Sequence, residues 1–358
     1  MSAPEKPVSA AKKPDYTQPP RFAVASSPHI STSDSVRGAM LDVLIALVPA
    51  LGVSIYFFGP RALILTLVSI AACVLFEALY CALLKKKQTI GDLSACVTGI
   101  LMAMCLPVLV PYWMAVIGAF FAIVVVKQLF GGLGKNFLNP ALAARAFLML
   151  CYPVNMTTWV LPGTDNWASL GMSAVDAVTS ATPLSADFMH SGVLPNASLW
   201  DLLIGNIGGT VGEISALMLL LGGLYLLARK VIHIRIPLAF IGTVAVLTFL
   251  FPLGGNARLT WMLYEILGGG LFLGAFFMAT DYVTSPVTPK GEVIFGVGCG
   301  LLTVFIRYFG GYPEGVSYAI LLMNICVWLI DKNCKPRRFG VTSEMKKAAK
   351  AEKGGAGK

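Results

Sequence analysis

The sequence predicts an all-α, polytopic membrane protein with about ten transmembrane helices, arranged as two inverted five-helix repeats. Hydrophobic residues make up 56% of the 358-residue chain and charged residues only 13%, whereas a soluble domain carries about 25% charged residues. The mean hydropathy is +0.76. The apolar residues form long runs, and a helix that crosses a bilayer needs roughly 20 of them. The bilayer is therefore expected to surround most of the protein.

The spans are predicted from these runs by a length criterion of roughly 17–25 residues. The fifth run is short and contains Arg145, which favours a half-span or a re-entrant helix. The predicted stretches are 39–58, 62–84, 93–110, 112–130, 139–152, 213–229, 236–252, 259–280, 292–309 and 315–331.

Basic residues predict the orientation. With a cytoplasmic N-terminus, most Lys and Arg residues fall on the cytoplasmic side, and only Arg61, Arg258 and Arg307 fall on the opposite side. This asymmetry follows the positive-inside rule and places both termini in the cytoplasm. Topology thus explains the formal charge of +9. The basic patches are short and lack interleaved aromatic residues, so no nucleic-acid partner is expected.

Composition divides the chain into five parts. Residues 1–35 are polar, without the apolar core of a signal peptide, and are predicted to be a disordered cytoplasmic tail. The first membrane repeat follows at 36–152, an extracytoplasmic loop at 153–212, and the second repeat at 213–331. Residues 332–358 form a basic cytoplasmic tail that is expected to touch anionic membrane lipid.

Each half contains an odd number of spans, so the second half must be inverted. Short matches support a repeat: Lys-Gln-Leu-Phe-Gly-Gly at 127–132 resembles Arg-Tyr-Phe-Gly-Gly at 307–311. Inverted repeats with broken helices place binding sites at the repeat interface. Two Gly/Pro-rich stretches, 131–140 and 280–291, are the predicted breaks. They are either plain loops or the walls of a pocket for a second cofactor or a docking partner.

Titratable residues inside the apolar runs are few. Glu77 and Glu265 lie within predicted spans, and Asp42 and Glu213 lie near span ends. Such a carboxylate either lines an ion path or is protonated or paired for structural reasons. None of the eight Cys forms a C-x-x-C pair and the three His are far apart, so no metal site is predicted. No side chain is expected to act as an acid, base or nucleophile.

The most specific motif lies in the extracytoplasmic loop, where residues 176–184 read Asp-Ala-Val-Thr-Ser-Ala-Thr-Pro-Leu. It resembles Asp-x-x-(Ser/Thr)-Gly-Ala-Thr, in which a flavin transferase esterifies the last Thr with the phosphate of FMN; here that residue is Thr182. The chain has Ser180 where the motif has Gly, which removes the freedom to adopt positive φ. The same residues fit an ordinary helix start, with Thr182 as N-cap and Pro183 at N1.

Several segments together resemble the D-subunit family of the Rnf complex and, more distantly, the B subunit of the sodium-translocating NADH:quinone reductase. The resemblance covers about residues 26 to 335 and rests on five segments: 27–30, 34–38, 131–141, 176–184 and 280–291. It implies a bacterial inner (plasma) membrane protein that carries FMN on Thr182 and a second, non-covalent flavin of the riboflavin type within the spans. The implied partners are Rnf subunits of the A, B, C, E and G types.

The function expected from this resemblance is electron transfer among flavins, within a complex that couples ferredoxin:NAD oxidoreduction to the movement of Na⁺ or H⁺. Aromatic residues of the extracytoplasmic loop could stack on the flavin or anchor the protein at the membrane interface. The quinone-reductase subunit is one alternative. A channel or secondary transporter without a cofactor, inferred from the inverted repeat alone, is another. The candidate aromatic residues are Tyr152, Trp159, Trp167, Phe188 and Trp200.

Overall fold

A computed structural model of the chain describes residues 35–160, 162, 184, 192, 194, 195, 197–310 and 315–335. Throughout this part of the chain the regular structure is helical, and the one β-type pairing is an isolated bridge between Pro107 and Thr210. The all-α class predicted from the sequence is confirmed.

The helices of the first half begin directly after residue 35. They are α1 (Val36–Phe58), α2 (Pro60–Leu83), a 3₁₀ turn (Ile90–Asp92), α3 (Ser94–Met104), α4 (Tyr112–Phe120), which continues as a π-helical stretch (Phe121–Gln128), α5 (Pro140–Cys151) and the short α6 (Pro153–Met156).

The helices of the second half follow the predicted loop. They are α7 (Leu199–Ile204), α8 (Ala216–Ala228), α9 (Arg235–Leu250), α10 (Arg258–Leu267), α11 (Leu271–Leu273), which continues as a π-helical stretch (Gly274–Met278), α12 (Pro289–Phe309) and α13 (Val316–Asn333).

Four of the described helices, α1, α2, α12 and α13, are long and apolar enough to cross a membrane. The pair formed by α10 and residues Leu271–Met278 bends by 61° and brings the count to five if it is one span. The other apolar helices, α3, α4, α5, α8 and α9, are shorter. A polytopic membrane protein is therefore confirmed. A helix occupies part of every predicted span, but the ten-span inverted repeat stays a prediction.

Two predicted spans are interrupted where the sequence analysis expected continuous helices. The third ends as a helix at Met104, because Pro107 and Pro111 follow and proline removes a backbone donor. The chain beyond it is instead paired across to a distant segment: Val211 N donates to Leu106 O at 3.0 Å and Gly212 N donates to Met104 O at 2.7 Å.

The eighth predicted span breaks at the three glycines 268–270, which we call the glycine break. Gly269 and Gly270 both have φ of 65°, a left-handed conformation that glycine adopts without a steric penalty. The backbone there leaves the helical path between α10 and α11. This break was not among the two that the sequence predicts.

Small residues let the helices of the second half pack closely. Helices α9 and α12 pack along each other, and a Cβ on Gly300 of α12 would lie 3.0 Å from the carbonyl oxygen of Phe240. Glycine at such crossings allows backbones to approach, as is common in membrane bundles. The packing fixes α12, which carries the buried Arg307 discussed below.

Candidate functional site

The two Gly/Pro-rich stretches predicted as breaks meet at one pocket. It contains about 770 Å³ of space not filled by atoms, and part of this space is open to solvent. The lining is mostly apolar with a few polar groups: Ala39, Met40, Val43, Ser94, Val97, Thr98, Leu101, Lys127, Leu133, Asn136, Asn139, Pro140, Ala141, Leu226, Val231, Ile232, Phe276, Phe277, Thr280, Asp281, Tyr282 and Val283.

Each of the two stretches follows a π-helical segment and ends in a capped helix. Asn139 Oδ1 accepts a hydrogen bond from Ala141 N at 3.0 Å at the start of α5. Thr288 Oγ1 accepts one from Gly291 N at 3.1 Å at the start of α12. π-Helical segments inside α-helices occur frequently at functional sites. The two halves therefore use the same local construction at the pocket.

Asn139 also joins the two stretches, because its Nδ2 donates to the carbonyl oxygen of Met278 at 3.2 Å. Asn136 lies beside it in the pocket wall and is 6% exposed. Its Nδ2 donates to Leu138 O at 3.1 Å, while its Oδ1 has no hydrogen-bond partner among the described residues. A buried acceptor without a partner costs about 1–3 kcal/mol, so a ligand donor at this position would be favoured.

Lys127 supplies a buried positive charge at the pocket. Its Nζ lies 3.0 Å from Glu77 Oε2 and 2.6 Å from Ser94 Oγ, and Gln128 Nε2 donates to Glu77 Oε1 at 3.0 Å. Thr89 donates to the same carboxylate oxygen. Glu77 is fully buried. The sequence left open whether Glu77 lines an ion path or is paired, and the structure shows that it is paired.

Glu265 is paired in the same way with Arg307. The distance from Arg307 Nη1 to Glu265 Oε2 is 2.8 Å, and both side chains are fully buried. Arg307 Nη2 also donates to the carbonyl oxygens of Gly268 at 3.2 Å and Gly269 at 3.4 Å. The sequence analysis placed Arg307 on the side opposite the cytoplasm, near the end of the predicted span 292–309. The structure shows that its side chain is buried in the protein interior, where it binds the carbonyl oxygens of the glycine break.

A third buried contact of opposite charges joins the two halves of the chain. Arg145 Nη1 lies 3.8 Å from Glu213 Oε1 and donates to Ser317 Oγ at 2.7 Å. The carboxylate of Glu213 packs against Gly270, where a Cβ would lie 2.8 Å from Glu213 Oε1. The glycine break therefore contacts Arg307 through Gly268 and Gly269, and it contacts Glu213 through Gly270. Asp42, in contrast, pairs with the largely exposed Arg229.

Thr182, the predicted FMN acceptor, lies outside the described residues, as do Trp167 and Phe188. Leu184, two residues further on, is described and only 2% exposed. Trp159 is buried and Trp200 is 71% exposed. A flavin contact is therefore not assigned to any of the candidate aromatic residues.

The predicted loop ends in a short capped helix. Ser198 forms a capping box with Asp201: Ser198 Oγ and N donate to Asp201 Oδ2 at 2.6 and 3.0 Å, and Asp201 N donates back to Ser198 Oγ at 3.2 Å. The Ser198 hydroxyl and its backbone N–H hold the pKa of Asp201 below its ordinary value. The Asp201 carboxylate is therefore engaged in capping the N-terminus of α7.

Among the described residues, no group of three or more His, Cys, Asp or Glu could hold a metal ion. The geometry thus defines a class: a polytopic membrane protein with buried ion pairs between helices and a mostly apolar pocket at two helix breaks. The chain belongs to the NQR2, RnfD, RnfE family, whose model matches residues 23–340.

Curated relatives agree with this family. The chain is 48% identical over 334 residues to the D subunit of the Na(+)-translocating ferredoxin:NAD(+) oxidoreductase complex of Acetobacterium woodii, covering 92% of this chain and 98% of the relative. It is 44% identical to the D subunit of the proton-translocating ferredoxin:NAD(+) oxidoreductase complex of Clostridium ljungdahlii, covering 89% and 96%. The D subunit of an ion-translocating oxidoreductase complex of Stutzerimonas stutzeri is 40% identical, with 86% and 92% covered.

The sequence analysis missed two polar residues of the pocket. Lys127 is the only cation within the predicted span 112–130, and Asn136 lies inside a predicted break. A lysine in an otherwise apolar span is energetically costly and is often functional. Its position alone therefore marks Lys127 as a candidate site residue. Nothing in the sequence shows that Lys127 and Glu77, 50 positions apart, form a pair.

Proposed function

We propose that this chain is the flavin-carrying D subunit of an ion-translocating ferredoxin:NAD oxidoreductase, the Rnf complex, in a bacterial inner membrane. The observation that carries the proposal is the sequence of residues 176–182, found in a chain of the family described above. The names of its relatives support the Rnf assignment over the quinone reductase. One relative is named for Na⁺ translocation and another for proton translocation, so the transported ion is proposed to be Na⁺ or H⁺.

The acceptor of FMN is proposed to be Thr182, through an ester between its side-chain oxygen and the FMN phosphate. The flavin, when bound, takes up and releases electrons. The chain's own task is to hold it in place, because a covalent tether removes any binding equilibrium and leaves orientation to the protein. Neighbouring Ser180 and Ala181 are small, so a transferase could reach the hydroxyl of Thr182.

The pocket is proposed to bind a second, non-covalent flavin of the riboflavin type. Its walls are mostly apolar and include Phe276 and Phe277, and Asn136 Oδ1 offers an acceptor without a partner among the described residues. Lys127, paired with Glu77, also lies at the wall. These residues would orient the ring and exclude water.

The membrane architecture is proposed to be ten spans in two inverted repeats, with both termini in the cytoplasm. The matched π-helical segments and capped helix starts on either side of the pocket support a repeat. Other Rnf subunits, of the A, B, C, E and G types, are the proposed partners, and membrane lipid surrounds the spans.

The test is in-gel fluorescence. The protein is purified from cells that contain the flavin transferase, separated on a denaturing gel and illuminated with ultraviolet light. The wild-type band should fluoresce and Thr182→Ala should be dark at equal protein. Thr157→Ala, which removes an exposed hydroxyl from the same predicted loop, should fluoresce like the wild type. A dark wild-type band would favour the cofactor-free transporter.

A further inference from the structure

Leu184 packs against the backbone of the glycine break, in space that a side chain on Gly269 would fill. A Cβ on Gly269 would overlap Leu184 Cδ1, and a Cβ on Gly268 would lie 3.2 Å from Leu184 Cγ. Leu184 is 2% exposed and belongs to a buried cluster with Leu202, Ile207, Trp261 and Tyr264. The leucine therefore packs directly onto the glycine break.

Arg307 also contacts the glycine that Leu184 packs against. A Cβ on Gly269 would lie 2.6 Å from Arg307 Nη2 as well as overlapping Leu184. The same guanidinium binds the carbonyl oxygens of Gly268 and Gly269 and the carboxylate of Glu265. Arg307 and Glu265 are fully buried, and a surface held by several hydrogen bonds is suited to positioning a neighbouring segment.

Other described points of the predicted loop are also tied to the second half of the chain. Asn256 Nδ2 donates to Gly192 O at 2.6 Å, and Tyr264 Oη donates to Ala197 O at 2.8 Å. Both donors lie in α10 or in the turn before it. These contacts hold the end of the loop, whereas Leu184 is the described contact nearest in sequence to Thr182.

We propose that Leu184 is a positioning residue. It anchors the flavin-bearing segment by packing against the glycine break, next to Arg307. The proposal rests on the proposed attachment of FMN to Thr182. Two residues of chain span about 7 Å at most, so an anchor at Leu184 restricts how far a group on Thr182 can move.

Hydrogen exchange of the full-length protein in lipid nanodiscs tests the anchor. Leu184→Ala should speed exchange in peptides that cover residues 176–186 by about tenfold or more, because it removes the buried contact that is proposed to anchor this segment. Leu184→Met, which nearly conserves volume, should restore the wild-type rate. Leu202→Ala is the matched control, since it removes the same atoms from the same buried cluster and should speed exchange in α7 but not in 176–186.

Gly268→Ala provides a second variant if Leu184→Ala does not insert in the membrane. Its Cβ would crowd Leu184 without requiring a positive φ, and it should also speed exchange in 176–186. Equal exchange in these peptides for Leu184→Ala, Leu202→Ala and wild type would overturn the anchor. In-gel fluorescence is recorded on the same samples: a dark wild-type band overturns the proposed function, while the exchange rates still decide the anchor.

Discussion

The ammonium nitrogen of Lys127 lies 3.0 Å from one carboxylate oxygen of Glu77 and 3.2 Å from the other, and both side chains are almost completely buried. This pair joins α2 to the π-helical stretch after α4, at the wall of the pocket. A buried charge whose partner is removed is strongly destabilised. The pair therefore contributes to holding the pocket wall in place.

Removing either partner of this pair should leave the other charge buried and unpaired, so the costs of the two single substitutions should not add in the double variant. Lys127→Met and Glu77→Leu are each expected to cost about 3–5 kcal/mol. The double variant should cost less than their sum, by about 0.5–3 kcal/mol. Thermal unfolding in one detergent measures all three. Arg229→Met is the control, because Arg229 is 59% exposed, and its loss should cost under about 1 kcal/mol. Additive costs would contradict the pairing.

Arg307 should not tolerate replacement by lysine. Arg307→Lys keeps the charge but loses the fork of donors that reaches Gly268 and Gly269, and we expect a loss of about 2–4 kcal/mol in unfolding free energy. Arg258→Lys, at an exposed position, should change stability by less than about 0.5 kcal/mol. If both substitutions have the same small effect, the guanidinium does not hold the glycine break.

Asn136 should be required for binding of the second, non-covalent flavin but not for the covalent attachment of FMN. Asn136→Leu replaces the buried acceptor by a similar volume, so the flavin released on denaturation should fall to background, as measured by chromatography with fluorescence detection. The fluorescent band on the gel should persist. Asn333→Leu, at the exposed end of α13, is the control. Unchanged release from Asn136→Leu would remove the pocket as the site.

Both termini should be cytoplasmic. Green fluorescent protein fused after residue 358 should fluoresce, because it folds in the cytoplasm, and alkaline phosphatase fused at the same point should be inactive. Alkaline phosphatase inserted between residues 162 and 163 should be active, since segment 153–212 is predicted on the other side. The opposite pattern would invert the orientation.

The sequence predicted the positions of the helices well because long apolar runs have few alternatives in a bilayer. It also predicted that residues 131–140 and 280–291 are breaks, and the structure brings both to one pocket. The break at Gly268–Gly270 was missed although three consecutive glycines mark it in the sequence, because the run 259–280 was taken as one continuous span.

The pairing of charges could not be read from the sequence. Glu77 pairs with Lys127 and Glu265 with Arg307 through contacts 50 and 42 positions apart, and such contacts depend on how helices pack. Leu184 belongs to the motif at 176–184, but nothing in the sequence shows that it packs against Gly268 and Gly269.

Intact-mass spectrometry followed by peptide mapping tests the central claim most directly, on protein purified from native cells. The account predicts a mass excess equal to FMN less one water, located on the peptide that contains Thr182 and missing from Thr182→Ala. The bare polypeptide mass in the wild type, or the same excess on another residue, would contradict it.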